Sequence, residues 1–224
     1  GDLDGNGSSN DVALVCEDSN TIVSIIDPTG AATASAASTL GPRPSAIAIG
    51  DLDGALPADT VVAVQGQPLL NSGGIEVSLN GSSPTSLSFT GNATQVVSLC
   101  LADLDLAAIA QGAVDVVLLF DNNGGSLSFA GSIPLASSGL ANGLSCCDLD
   151  GDGNTDLAVA MPTLFPSPAQ DLRLLLRTGT APLDPADFTA APDVALPGTF
   201  AIDVACGDLH DDGFAPIGSR EDLG

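Results

Sequence analysis

The chain has 224 residues, 44% of them hydrophobic, with a mean hydropathy of +0.35, so it carries enough apolar material for a packed core and is not a disordered acidic tail. Its 28 acids face only four basic residues, all Arg, and the net charge of −24 repels nucleic-acid backbones and anionic lipid. No apolar run approaches the roughly 18 residues of a spanning helix, so nucleic-acid binding and membrane insertion are excluded as expectations.

All but three of the acids are Asp, and most gather in short clusters. In chain order, the first is Gly1-Asp2-Leu3-Asp4-Gly5, followed by an apolar strand, Asp11-Val-Ala-Leu-Val, and a second strand at Thr21–Ile26. Ser45-Ala-Ile-Ala-Ile leads into the second cluster, Gly50-Asp51-Leu52-Asp53-Gly54, with strands at Asp59-Thr-Val-Val-Ala-Val, Ile75–Asn80 and Ser86–Thr90. Gln95-Val-Val-Ser-Leu precedes Ala102-Asp103-Leu104-Asp105 in the third unit. Its first strand is aligned as Asp115-Val-Val-Leu-Leu-Phe, its second as Ser126–Ala130, and Leu106 to Ala110 read as an apolar insert. Gly143-Leu-Ser-Cys leads into Cys147-Asp148-Leu149-Asp150-Gly151, with strands at Asp156-Leu-Ala-Val-Ala and Leu172–Leu176. Phe200-Ala-Ile-Asp-Val-Ala-Cys closes on a fifth cluster, Gly207-Asp208-Leu209-His210.

The first Asp recurs at 2, 51, 103, 148 and 208, a period near 50 residues. The units are 1–49, 50–101, 102–146, 147–206 and a partial 207–224. About four short strands per unit, Gly/Pro/Ser turns and no helix-period segment describe the blade of a β-propeller, in a single all-β domain.

The fourth cluster is the most regular. Asp148, Asp150 and Asp152 stand at positions 1, 3 and 5 of a tight loop, Asn154 at position 7 offers a backbone carbonyl, and Asp156 at position 9 closes it. Hard oxygen ligands in this number suit Ca²⁺. An EF-hand loop starts the same way but needs an acid at position 12, where this chain has Val159. Asp2, Asp4, Asn6 and Asp11 form a second candidate with one extra residue before the closing acid. Asp51, Asp53 and Asp59 form a weaker third, with Ala55 and Pro57 at positions 5 and 7. In the third unit Asp115 is taken as the closing acid behind the insert, and no ion is expected there. The fifth loop has His210 at position 3 and Pro216 at position 9 and falls out of the pattern.

Cys146 and Cys206 stand where other units have Ile49 and Leu101, which reads as small core residues rather than disulfides, and no CxxC pair supports zinc. Adjacent Cys146 and Cys147 would point to opposite faces of a strand. His210 is the sole His, and Lys and Tyr are absent, so the usual general bases are missing and no catalytic residue is expected.

Gly41-Pro-Arg-Pro-Ser-Ala-Ile-Ala-Ile-Gly-Asp-Leu-Asp-Gly54 and Cys147-Asp-Leu-Asp-Gly-Asp-Gly-Asn-Thr-Asp-Leu-Ala-Val-Ala160 resemble the FG-GAP/VCBS repeats of integrin-α-like β-propellers. The resemblance implies a propeller of four-stranded blades, typically seven-bladed, which at this period takes roughly 350 residues. Four units and a partial fifth therefore read as a fragment or an incomplete propeller, an open arc with no spare strand to complete its first blade. The function expected is a non-enzymatic, calcium-binding scaffold, secreted or at the cell surface, that serves adhesion by presenting loops to a protein or glycan partner. The alternative is the propeller part of a secreted polysaccharide-degrading enzyme of lyase type, against which the scarcity of Arg and aromatic residues counts.

Overall fold

A computed structural model of the chain describes residues 1–29, 33–34, 38–67, 73–87, 89, 93–102, 105–135, 141–161, 172–179, 183–192, 194, 201–207 and 222–223. The fold is all-β, with four antiparallel sheets and, among the described residues, one helical turn, Pro185–Asp187. Sheet 1 holds β1 (Val12–Cys16), β2 (Thr21–Ile26), β3 (Thr33–Ala34) and β4 (Ser38–Thr39), with β3 and β4 both pairing with β2. Sheet 2 runs β5 (Pro44–Gly50), β6 (Asp59–Val64), β7 (Gly74–Ser78), β8 (Thr85–Ser86). Sheet 3 runs β9 (Ala93–Ala102), β10 (Asp105–Gly112), β11 (Val116–Asn123), β12 (Ser126–Pro134). Sheet 4 runs β13 (Gly143–Cys147), β14 (Asp156–Ala160), β15 (Leu172–Arg177), β16 (Phe188–Ala190). A last pair joins β17 (Cys206–Gly207) to β18 (Asp222–Leu223).

The sheets and the sequence period are out of phase by one strand. In sheets 2, 3 and 4 the strand before each Asp cluster hydrogen-bonds to the strand after it, so the Asp loop is a hairpin inside a sheet. The third unit departs from the expected alignment. Leu106 to Ala110 are no insert but the heart of β10, the second strand of sheet 3, while the run at Val116 is the third strand and the run at Ser126 the fourth. The sequence concealed this because the connection before β10 is short: only residues 103 and 104 separate β9 from β10, against eight between β13 and β14.

Side-chain alternation along the second strands stacks the sheets face to face in chain order. In β10, Leu106, Ala108 and Ala110 pack with Val61, Ala63 and Ile75 of sheet 2, and Phe120 joins this layer with edge-on contacts to Phe89 and Phe129. The alternate residues, Ala107 and Ile109, pack with Leu144, Leu157 and Val159 of sheet 4. Val62 and Val64, on the other face of β6, meet Ala13 and Ile22 of sheet 1. A sheet covered on both faces has a second strand that is apolar throughout, and β10 is buried from Asp105 to Ala110.

The first-place strands stand side by side, β5 next to β9, β9 next to β13, β13 next to β17. Their approach is close enough that a Cβ on Gly50 would lie 2.5 Å from Leu101, and one on Gly1 would lie 2.5 Å from Ile49. At the later seams disulfides take this role: Cys100–Cys146 ties β9 to β13, and Cys147–Cys206 ties β13 to β17, with Cα separations of 5.8 and 6.2 Å. The expectation of reduced core cysteines is thus overturned. Cys146 and Cys147 do project to opposite faces, and each meets a cysteine on a different neighbouring strand. Cys16 alone remains free.

Candidate metal centres

In each of the four sheets a buried aspartate opens, or immediately precedes, the strand that follows the Asp cluster: Asp11, Asp59, Asp105 and Asp156 are 4%, 1%, 8% and 0% exposed. The carboxylate is a clamp on two stretches of backbone. In sheet 4, Asp156 Oδ2 accepts from Leu149 N at 2.8 Å and Oδ1 from Arg177 N at 2.7 Å. Asp59 accepts from Leu52 N and Asn80 N, and Asp11 from Leu3 N and Asp27 N. Asp105 accepts from Asn122 N at 2.8 Å. At Asp11, Asp59 and Asp156 one bond fixes the Asp loop and the other fixes the end of the next strand or the residues just past it, so a single side chain sets the loop on the sheet.

Asp105, not Asp115, is therefore the closing acid of the third unit. Asp115 is buried in the turn at the far end of β10, where it accepts from Gly112 N and Ala141 N. The sequence held the signal, since Asp105-Leu-Ala-Ala-Ile-Ala aligns with Asp156-Leu-Ala-Val-Ala without a gap, but the Asp-Leu-Asp spelling drew Asp105 into position 3 of the loop. Asp103, and the fifth cluster with Asp208 and His210, lie outside the described residues.

Local geometry folds the other three loops around their first aspartates, which cap backbone N–H groups. Asp148 Oδ1 accepts from Gly151 N and Oδ2 from Gly153 N, with both glycines at positive φ, 81° and 86°. Asp2 takes Asn6 N and Gly7 N in the same way, and Asp51 takes Gly54 N. The result is three clusters of converging carboxylates: Asp2, Asp4 and Asp11; Asp51, Asp53 and Asp59; Asp148, Asp150 and Asp156. Within each, one ligand oxygen per residue lies within 4.8 Å of the others. Oxygens bound to one Ca²⁺ are at most about 5 Å apart, so the spacing and the all-oxygen donor set fit that ion.

Asp152 stays outside its cluster, accepting at Oδ1 from Asn154 N and at Oδ2 from Asn154 Nδ2. These bonds hold its pKa below the usual carboxylate value. Asn6 is arranged similarly, donating through Nδ2 to Asp4 and accepting from Ser8 N. In the second loop Ala55 leaves position 5 without a polar side chain, and an amide arrives from elsewhere: Asn80, two residues past β7, donates through Nδ2 to Asp53 Oδ2 at 2.8 Å. Sequence reasoning missed Asn80 because it lies 27 residues from its partner.

Burial pushes the Asp156 carboxyl above its ordinary pKa against the two backbone hydrogen bonds, and the charges of Asp150 and Asp152 push it the same way. Asp11 is moved down instead, chiefly by the hydrogen bond from Asp27 N. Burial outweighs the hydrogen bonds at Asp156, and the hydrogen bonds outweigh burial at Asp11.

Among curated proteins none matches the chain. Residues 102–159, from the end of β9 through most of β14, match the model of the FG-GAP-like repeat, so the family resemblance carried by the Asp-Leu-Asp motifs holds on this stretch, which contains both Asp105 and Asp156.

Proposed function

We propose that this chain is a calcium-stabilised, propeller-type binding scaffold without catalytic chemistry, whose loops engage an extracellular protein or glycan. The observation that carries the reading is the convergence of carboxylates in three loops that are themselves anchored to the sheets by buried aspartates. Asp148, Asp150 and Asp156 would hold one ion, Asp2, Asp4 and Asp11 a second, and Asp51, Asp53 and Asp59 a third. Bound calcium supplies positive charge that offsets the mutual repulsion of each trio. The four-stranded sheets stacked in chain order are what successive propeller blades require. Two disulfides support an oxidising, extracellular setting, where calcium is also plentiful. No helix among the described residues is long and apolar enough to cross a membrane.

Calorimetric titration of chelator-treated protein with Ca²⁺ tests the reading. Saturable binding at up to three sites, reduced by one in Asp150→Ala, is the expected result. Absence of binding at millimolar Ca²⁺ would overturn it.

A further inference from the structure

The second loop draws on a residue outside its own span, and we infer that Asn80 is the fourth side chain of its ion site, standing where Ala55 offers nothing polar. The inference rests on the calcium reading of the three loops. In the first loop position 5 is Asn6, whose Nδ2 donates to Oδ2 of Asp4, the acid at position 3, at 3.0 Å. In the second loop position 5 is Ala55, and the Nδ2 of Asn80 donates to Oδ2 of Asp53, again the acid at position 3, at 2.8 Å. Both loops thus present three converging carboxylates and one amide on the position 3 acid. In one the amide lies two residues from its partner, in the other 27.

The sheet, rather than the loop, places Asn80. Its backbone N–H donates to Asp59 Oδ1 at 2.8 Å, while Asp59 Oδ2 accepts from Leu52 N, so the closing acid of the loop fixes the residue that carries the amide. Asn80 and Gly81 have φ of 50° and 70°, in a turn closed by Ser82 N on Leu79 O, and Asn and Gly are the residues that tolerate this conformation best. Residues at the same place in the neighbouring sheets use their side chains otherwise. Asp27 Oδ1 accepts from Asn10 Nδ2, and Asn122 Nδ2 donates to Leu52 O. That Asn122 bond braces the second loop from sheet 3, as does Gly125, where a Cβ would lie 2.8 Å from Asp53 Cβ. An amide serves a hard cation through its oxygen, and a half-turn of the last Asn80 torsion exchanges Nδ2 for Oδ1 beside the carboxylates.

Calorimetric titration with Ca²⁺ in an Asp4→Ala/Asp150→Ala background isolates the second site, because it disables the first and fourth loops through two exposed acids. Adding Asn80→Gly, which suits the positive φ and removes the amide, should weaken that site roughly tenfold or more while leaving the melting point in chelator nearly unchanged. Asn80→Asp, which offers an oxygen at the same place but no N–H, should bind at least as tightly as the background. Weakening by Asn80→Asp as great as that by Asn80→Gly overturns the inference, since Asn80 would then act only as a donor to Asp53. Unchanged affinity in Asn80→Gly overturns it too. A wild type that binds no Ca²⁺ overturns the calcium reading and the inference with it, whereas binding by wild type that the background variant lacks overturns the inference alone.

Discussion

Sheets 3 and 4 solve one problem in two ways. Both start their second strand with a buried aspartate that accepts the N–H two residues past the partner of the next residue, Asn122 in one and Arg177 in the other. Sheet 4 reaches that aspartate through an eight-residue loop with three further acids, and sheet 3 through two residues. The clamp therefore does not require the loop. The acids at 148 and 150 are surplus to the sheet, and gathering them beside Asp156 has an electrostatic cost that a bound cation removes.

The largest test of this comparison is removal of each clamp. Asp156→Ala strands the N–H groups of Leu149 and Arg177 and Asp105→Ala strands that of Asn122, at about 1–3 kcal/mol per group, so unfolding free energy in denaturant should fall by roughly 2–5 kcal/mol in the first and about 1–3 kcal/mol in the second. They should differ in calcium dependence. The Asp105→Ala protein keeps the full gap between melting points with Ca²⁺ and with chelator, and the Asp156→Ala protein loses one site's share. A calcium response altered equally by both would break the comparison.

Next in size are the disulfides, which tie sheet 4 to its neighbours on either side. Reducing both without denaturant should cost about 3 kcal/mol each, read as a lower melting point under reducing conditions. The seams at Gly1 and Gly50 carry no such tie, so fragmentary unfolding, followed by hydrogen exchange, should then spread into sheet 4 and β17.

Calcium sharpens the contrast further. At free Ca²⁺ a hundredfold above Kd, each occupied loop adds about 2.7 kcal/mol to stability. Asp150→Ala should remove one such increment from the calcium-dependent melting shift, and substitution of the sheet 3 connection should remove none. Equal shifts in wild type and Asp150→Ala would place the ion elsewhere.

The smallest effect is on pH dependence in chelator. Asp156 binds its proton more tightly folded than unfolded, so its contribution to stability improves as pH falls through the raised folded pKa toward the unfolded value of 3.8. Asp11 has the opposite sign: its contribution is present above 3.8 and is lost as pH falls through its lowered folded pKa. Asp156→Asn, which fixes the neutral form, should abolish the gain on mild acidification. Chemical denaturation at stepped pH reads both limbs, and a wild type that weakens steadily from pH 7 downward would contradict the Asp156 limb.

What the residue order determined was local. The Asp-Leu-Asp spelling, the glycines at positive φ and the apolar runs after Asp59 and Asp156 fixed hairpin loops, strand positions and the carboxylate trios, because capping and alternation act over fewer than ten residues. Only tertiary structure decided which strand belongs to which sheet. That choice rests on burial of both faces, which moved Leu106 to Ala110 from insert to core strand and Asp115 out of the loop. Asn80 on Asp53 and the pairing of Cys100 with Cys146 and Cys147 with Cys206 likewise depend on chain segments brought together across 27 to 59 residues. Cysteine spacing carries no partner information of its own; the side-by-side packing of β9, β13 and β17 supplies it.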